Sequence, residues 1–131
     1  MNKQLAEQAK TNIRRAGMDN TTPGHCAGWA RETVTDIYGA AVANPPGLDA
    51  GEAFEWYKAR GKSIELSQGH TIGDILFKFP TKRSPHGHVE IRIEDNRSAG
   101  NSSAHINSKN DARGIRTLKA FGKVDGIVRL P

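Results

Sequence analysis

The first half of the chain has apolar residues at the spacing of helices. Three helices are predicted, with apolar faces formed by Leu5, Ala9, Ile13 and Ala16 in the first, by Trp29, Ala30, Thr33, Val34 and Ile37 in the second, and by Ala53, Phe54 and Tyr57 in the third. The first helix ends near Gly17, and the second runs from about Cys26 to Tyr38. Asp49 and Glu52 have the spacing of a capping box, which predicts the start of the third helix.

The second half alternates apolar and polar residues, a pattern typical of strands. Four strands are predicted: Ile75–Phe79, His88–Glu94, Arg97–Ser103 and Ile127–Leu130. Asp95 and Asn96 predict a hairpin turn between the second and third strands. The polar segment Ser102–Gly114 is predicted to be a loop. Helices followed by strands favour an α+β fold in which N-terminal helices pack on a small antiparallel sheet.

Length and composition are typical of one globular domain, here residues 1–131. The chain has 36% hydrophobic and 25% charged residues, and no apolar run approaches the length that spans a membrane. The first 17 residues lack the apolar stretch of a secretory signal. We therefore expect synthesis in the cytoplasm without a Sec signal, and action outside the cell only after release or delivery by other means.

The net charge of +5 is concentrated in the second half of the chain. Residues 78–131 hold 11 Lys and Arg against 5 Asp and Glu, whereas residues 1–77 hold 8 against 9. Such an excess can attract nucleic acid or an anionic envelope polymer, and an ordinary solvated basic surface is an equal alternative. Nucleic acid is disfavoured because no phosphate-binding glycine loop, zinc-finger spacing or aromatic RNA-binding strand accompanies the charge.

Cys26 is the only cysteine, and it stands at the predicted start of the second helix. A thiolate, not a thiol, attacks a carbonyl, and the N–H groups and dipole of a helix start favour the anion. The same N–H groups can hold the oxyanion of a tetrahedral intermediate. The alternative is that Cys26 is a small buried apolar residue, as most free cysteines are.

The predicted strand that begins with His88 supplies candidate partners for this thiol. Alternation places His88, Glu90 and Arg92 on one face of their strand, so that His88 is the candidate base. Asn101 on the return strand could accept the second imidazole N–H as the third member of a triad, and Glu90 is the alternative orienting residue. His25 could line the oxyanion site or flank the cleft. One cysteine and no His-x-x-x-His pair argue against zinc, and no cofactor is predicted.

Three segments resemble motifs of the NlpC-type cell-wall peptidases and of the related CHAP amidohydrolases. Cys-Ala-Gly-Trp-Ala at 26–30 resembles the Cys-Ser-Gly-Phe-Val of the former, and Gly-His-Cys at 24–26 resembles the Gly-Gln-Cys of the latter. Gly-Asp-Ile-Leu-Phe at 73–77 resembles the Gly-Asp-Leu-Val-Phe of the first core strand. Gly-His-Val-Glu-Ile at 87–91 is similar to the Gly-His-Val-Gly-Ile that carries the base. The segments occur in family order and together span about residues 20–103.

The resemblance implies a papain-like α+β fold and hydrolysis of amide bonds in bacterial peptidoglycan, as in a phage lysin. It assigns Cys26 as the nucleophile, His88 as the base and Asn101 as the third residue. The tyrosine or glutamine that usually precedes the nucleophile is absent, and His25 or Thr22 is the candidate substitute. The segment after Ser103 matches no motif.

Other functions remain open at this point. The same triad would serve a toxin delivered between bacteria or an acyltransferase, and a catalytically inactive domain that binds a polymer through its basic half is an alternative from a different class. The sequence leaves open whether the enzyme is an endopeptidase or an amidase, which host it acts on and what its oligomeric state is.

Overall fold

The computed structural model describes residues 1–14, 26–101 and 113–131. The helices are α1 (Lys3–Arg14), α2 (Cys26–Tyr38), α3 (Ala50–Ala59) and α4 (Leu118–Phe121). The strands are β1 (Ser63–Ile64), β2 (Ile75–Lys78), β3 (His88–Glu94), β4 (Arg97–Asn101), β5 (Arg113–Thr117) and β6 (Gly126–Val128). The α+β class predicted from the order of helices and strands is confirmed.

All six strands form an antiparallel sheet with the order β1-β6-β2-β3-β4-β5. Helices α1 and α2 contact β3 and β4, while α3 contacts β2 and β6. The central strands β2 and β3 therefore lie beneath the helical layer, and β4 and β5 extend the sheet on one side.

The main core lies between the helices and one face of the sheet. It takes alternate residues of each central strand, such as Ile75 and Phe77 of β2 and Val89 and Ile91 of β3. Trp29 of α2 is fully buried among them. The alternating pattern that predicted β3 thus marks the side of this strand that faces the helices.

The opposite face of the sheet is also covered near its middle. Leu76 of β2 and Ile127 of β6 are buried there, outside the main apolar cluster. Phe121 of the short helix α4 is only 2% exposed, and α4 contacts β4 and β5. Some polar residues of β3 that point to this face, such as Glu90, are therefore shielded from solvent. The site described below is built around this buried carboxylate.

Several local predictions are confirmed. Asp49 caps α3, because its Oδ1 accepts a hydrogen bond from the N–H of Glu52 at 2.8 Å, and Glu52 Oε1 accepts one from the N–H of Asp49 at 3.2 Å. The hairpin turn at Asp95 and Asn96 joins β3 to β4.

The predicted loop Ser102–Gly114 is partly wrong, because β5 begins at Arg113 and pairs with β4 along five residues. This strand is polar and carries one large apolar residue, Ile115, that points outward at 39% exposure, so alternation gave no signal. Helix α4 was not predicted, because four residues are too few to show the repeated spacing of apolar residues by which a helix is recognised. Residues 15–25, where the first helix was predicted to end, lie outside the described residues. Within those ranges, no helix is long and apolar enough to cross a membrane.

Gly126 of β6 gives a test of the packing between α3 and the sheet. A Cβ atom built on it would lie 2.5 Å from Cε1 and 2.8 Å from Cδ1 of Phe54. Gly126→Ala should therefore destabilise the protein by about 1–3 kcal/mol, the usual cost of overpacking, in urea unfolding.

The double variant Gly126→Ala/Phe54→Leu provides the control. Leucine removes the ring edge that meets the new methyl group, so the two changes should cost less together than the sum of their separate costs. Strictly additive costs would show that Phe54 does not restrict this position.

Candidate active site

Cys26 is the first residue of α2 and is 5% exposed. Its sulfur lies 3.9 Å from the carbonyl oxygen of Gly87, the residue before β3, and Cys26 is close enough to His88 to raise the pKa of the imidazole. Gly87 has φ +67°, and a Cβ atom there would meet the carbonyl oxygen of Lys78 and lie 2.9 Å from Cβ of Ala50. Glycine is thus required at the turn that brings the start of β3 to the start of α2.

His88 is oriented by its neighbour two residues along the strand. Its Nε2 lies 2.5 Å from Oε2 of Glu90, and the ring is 13% exposed. An imidazole has two nitrogens, so this contact leaves Nδ1 to face the thiol of Cys26. The ring of Phe121 packs against the imidazole with its centroid 5.9 Å away. The ring is therefore held by contacts on several sides.

Glu90 is fully buried on the face of the sheet that α4 covers. Its Oε2 accepts from Nη2 of Arg116 at 2.6 Å, and its Oε1 accepts from Oγ of Ser98 at 2.6 Å. A Cβ atom on Gly100 would lie 2.6 Å from Cγ of Glu90. The absence of a side chain at Gly100 is what gives the Glu90 side chain room to reach His88.

The surroundings of His88 favour its protonated form. Burial alone would lower its pKa, but the hydrogen bonds and the negative charges of Cys26 and Glu90 outweigh burial and raise the pKa to about 9. The imidazolium therefore persists at neutral pH beside the sulfur, where it stabilises a thiolate.

These groups open onto a cleft of about 410 Å³. It is lined by Cys26, Lys78, Arg83, Ser84, Pro85, His86, Gly87, His88, Asn101, Arg116 and Phe121. Three of the lining residues are cationic, and none of the lining residues that the structure describes is a carboxylate. The cleft thus combines a thiol, an imidazole and positive charge, a set suited to nucleophilic attack on a substrate that carries anionic groups.

The sequence-predicted residues lie together here. Cys26, His88 and Asn101 line the same cleft, and Asn101 is fully buried. Nε2 of the imidazole contacts Glu90, which was predicted as the alternative to Asn101. The role of Asn101 as third residue stays a prediction. His25 lies outside the described residues.

The sequence did not reveal Arg116, Ser98 or Phe121 as parts of the site. Arg116 and Phe121 come from the polar tail region in which no strand was expected. A signal for Ser98 was present, since it and Gly100 alternate on the strand that returns beside Glu90, and small residues there leave room for a large side chain opposite. Within ranges 1–14, 26–101 and 113–131, no three His, Cys, Asp or Glu residues are grouped so that they could hold a metal ion.

The fold is similar to those of solved peptidoglycan hydrolases. No protein-family model matches the sequence, and no curated protein matches it. The crystal structure of the NlpC/p60 domain of the peptidoglycan hydrolase SagA superposes with a TM-score of 0.58 at 16% identity, with 96% of each chain covered. The chain therefore has the fold of an NlpC/p60 domain.

Two further structures share this fold. Ly7917, solved with the hydrolysing product of MDP, has a TM-score of 0.60 at 19% identity, and the peptidoglycan hydrolase RipB from Mycobacterium tuberculosis has one of 0.56 at 16% identity. The match covers 96% and 95% of the present chain but only 62% and 65% of those two chains. The papain-like α+β architecture expected from the motifs is confirmed.

The raised pKa of His88 predicts a pH dependence of stability. A group whose pKa rises from its usual 6.5 to about 9 on folding stabilises the folded state fully below pH 6.5, and this contribution is lost as the pH rises through 9. The difference in free energy of unfolding between the wild type and His88→Gln, measured in urea, should shrink across this range.

Nuclear magnetic resonance of the His88 ring checks the same point directly. The ring should titrate near pH 9 in the wild type and at lower pH in Cys26→Ala, because Cys26 is the first of the groups that raise the pKa. A titration near 6.5 in both proteins would contradict the described contacts.

Proposed function

We propose that this chain hydrolyses amide bonds of bacterial peptidoglycan, with Cys26 as the nucleophile, His88 as the general base and acid, and Glu90 as the residue that orients His88. The observation that carries the proposal is that Cys26 at the start of α2 and His88 open on one cleft, while Nε2 of His88 contacts Glu90 and Cys26 raises the pKa of the imidazole. Nucleophile, base and orienting group in this order form the arrangement by which thiol hydrolases cleave amides.

The first half of the reaction follows from the positions of these groups. Transfer of the thiol proton of Cys26 to Nδ1 of His88 gives a thiolate beside the imidazolium, and the sulfur then attacks the carbonyl carbon of the scissile amide. Because α2 begins at Cys26, the N–H groups of its first turn have no partner within the helix and can hold the developing oxyanion. The imidazolium gives its proton to the leaving amine as the C–N bond breaks, which leaves a thioester on Cys26.

Water completes the cycle. Neutral His88 removes a proton from a water molecule, the resulting hydroxide attacks the thioester, and the thiolate leaves as the carboxylic acid product forms. Glu90 stays ionised throughout and accepts a hydrogen bond from Nε2–H of His88, so that Nδ1 is the nitrogen that exchanges protons with the sulfur and the water. The same site would transfer the acyl group to an amine if one replaced water.

The charge of the cleft supports a peptidoglycan substrate. Stem peptides carry carboxylates, and Lys78, Arg83 and Arg116 line the cleft. The basic excess of residues 78–131 extends this attraction to the anionic wall as a whole. The similarity of fold to SagA and RipB, both named peptidoglycan hydrolases, points to the same polymer. Such an enzyme acts after release or delivery to the wall, as a phage lysin does.

Digestion of purified peptidoglycan tests the proposal. Mass spectrometry of the products should show new amine and carboxyl termini, and their identity decides between cleavage at the lactyl–peptide amide and cleavage within the stem peptide. Intact peptidoglycan after digestion with folded protein would contradict the proposed function.

Removal of the nucleophile should abolish this activity. Cys26→Ala deletes a single sulfur atom from a buried position, so the fold should persist while hydrolysis falls to the background rate. Iodoacetamide should inactivate the wild type at neutral pH, and because the chain holds one cysteine the loss reports on Cys26 alone. Circular dichroism of Cys26→Ala is the control, and lytic activity in this variant would refute the assignment.

Comparison of Glu90→Gln with Asn101→Ala decides between the two candidate orienting residues. If Glu90 orients His88, Glu90→Gln should lower kcat by roughly 10²–10⁴-fold, and Asn101→Ala should lower it less. The reverse order would assign the role to Asn101, as the motifs predicted.

Glu90→Gln also leaves the partly buried charge of Arg116 without this carboxylate partner, which should lower the free energy of unfolding. The double variant Glu90→Gln/Arg116→Met removes both charges and is the control for folding. It should regain stability relative to Glu90→Gln but not activity.

A further inference from the structure

Arg116 reaches the site from a strand two places away in the sheet. It lies on β5, Glu90 lies on β3, and β4 separates them. On the face that they share, β4 presents only the small residues Ser98 and Gly100 opposite this pair. The two long side chains therefore meet above β4, with Nη2 of Arg116 2.6 Å from Oε2 of Glu90.

The oxygen that Arg116 contacts is also the oxygen that His88 contacts. Oε2 of Glu90 lies between Nη2 of Arg116 and Nε2 of His88, while Oε1 accepts from Ser98. Glu90 is fully buried and the Arg116 side chain is 18% exposed. A carboxylate without water is stable as an anion only if charge and hydrogen bonds replace its hydration.

The protonation state of Glu90 decides the tautomer of His88. An ionised carboxylate accepts from Nε2–H and leaves Nδ1 free to accept the thiol proton. A protonated carboxyl would donate to Nε2 and place the remaining ring proton on Nδ1, facing the sulfur. In that state His88 could not take the proton of Cys26.

We propose that Arg116 is a positioning residue of this site: its ion pair keeps Glu90 ionised, and Glu90 in turn fixes the tautomer of His88 that serves as base. This inference rests on the proposed function of Cys26 and His88. Phe121 reinforces the arrangement, since the guanidinium lies 5.4 Å from the centroid of its ring while the imidazole packs on the same ring.

Other charged groups face the same space. Lys78 of β2 pairs in register with His88 and lies 5.0 Å from the centroid of the Phe121 ring, and its Nζ donates to the carbonyl of Lys123. Cys26 lies at the start of α2, and Arg83 and His86 lie on the rim of the cleft. Arg116 differs from Lys78 and Arg83 because it contacts Glu90, the carboxylate that holds the imidazole.

The test uses Arg116→Met, which removes the charge, and Arg116→Lys, which keeps it. Arg97→Met is the matched control, since Arg97 lies on the neighbouring strand β4 with a side chain 58% exposed. Three quantities are measured: the titration of the His88 ring by nuclear magnetic resonance, the rate of alkylation of Cys26 by iodoacetamide at pH 7, and the hydrolysis of peptidoglycan.

In Arg116→Met the Glu90 carboxyl should become neutral, so the pKa of His88 should fall even though a positive charge is removed nearby, and alkylation and hydrolysis should slow by roughly tenfold for each unit of that fall. Arg116→Lys should recover most of each quantity, and Arg97→Met should match the wild type. Unchanged titration of His88 in folded Arg116→Met would overturn the proposal.

The pair of variants Glu90→Gln and Glu90→Gln/Arg116→Met keeps the test decisive if Arg116→Met alone does not fold. Because Arg116 acts through Glu90, its removal should cause no further fall in the pKa of His88 once Glu90 is neutral. A further fall would show that Arg116 acts by another route and would overturn the proposal. If the wild type cuts no peptidoglycan while the titration of His88 responds as expected, the proposed function fails and the positioning of His88 by Arg116 is supported.

Discussion

The buried carboxylate of Glu90 is the group on which the arrangement of the site depends. An ion of this kind loses its hydration at a cost of several kcal/mol, which the protein offsets with Arg116, Ser98 and His88 from three adjacent strands. The sheet accommodates it through the small residue Gly100 on the strand beside it. The imidazole therefore takes its orientation from the register of the sheet, because these three partners of the carboxylate lie on paired strands.

The sulfur takes its position from the helical layer instead. Cys26 begins α2, whose apolar side packs on β3 and β4, while His88 begins β3. The two residues meet at one end of the sheet because the turn at Gly87 has the backbone conformation and the space that only glycine provides. Packing of α2 against the sheet thus fixes the distance between the Cys26 sulfur and the His88 ring.

The elements and site residues that depend on local sequence pattern were predicted from the sequence. Helical periodicity predicted α2, alternation predicted β3, and the motifs around Cys26 and His88 predicted the candidate nucleophile and base. The pairing of β4 with β5 and the ion pair between Glu90 and Arg116 join residues that are far apart along the chain, and the polar segment around Arg116 has no apolar alternation. The choice between Glu90 and Asn101 depends on how side chains fill the space above β4, which a one-dimensional pattern does not contain.

Similarity of fold at 16–19% identity leaves the chemistry to be argued from the residues themselves. A neutral amide can orient an imidazole, but a carboxylate also adds negative charge, which favours the imidazolium. Together with the thiol it raises the pKa of His88 to about 9 in spite of burial. The imidazolium of His88 is then maintained through the neutral range beside the sulfur of Cys26, where it favours the anionic form of a thiol. Arg116 contacts the same carboxylate oxygen as the imidazole, so in the proposed site its charge acts on His88 through Glu90.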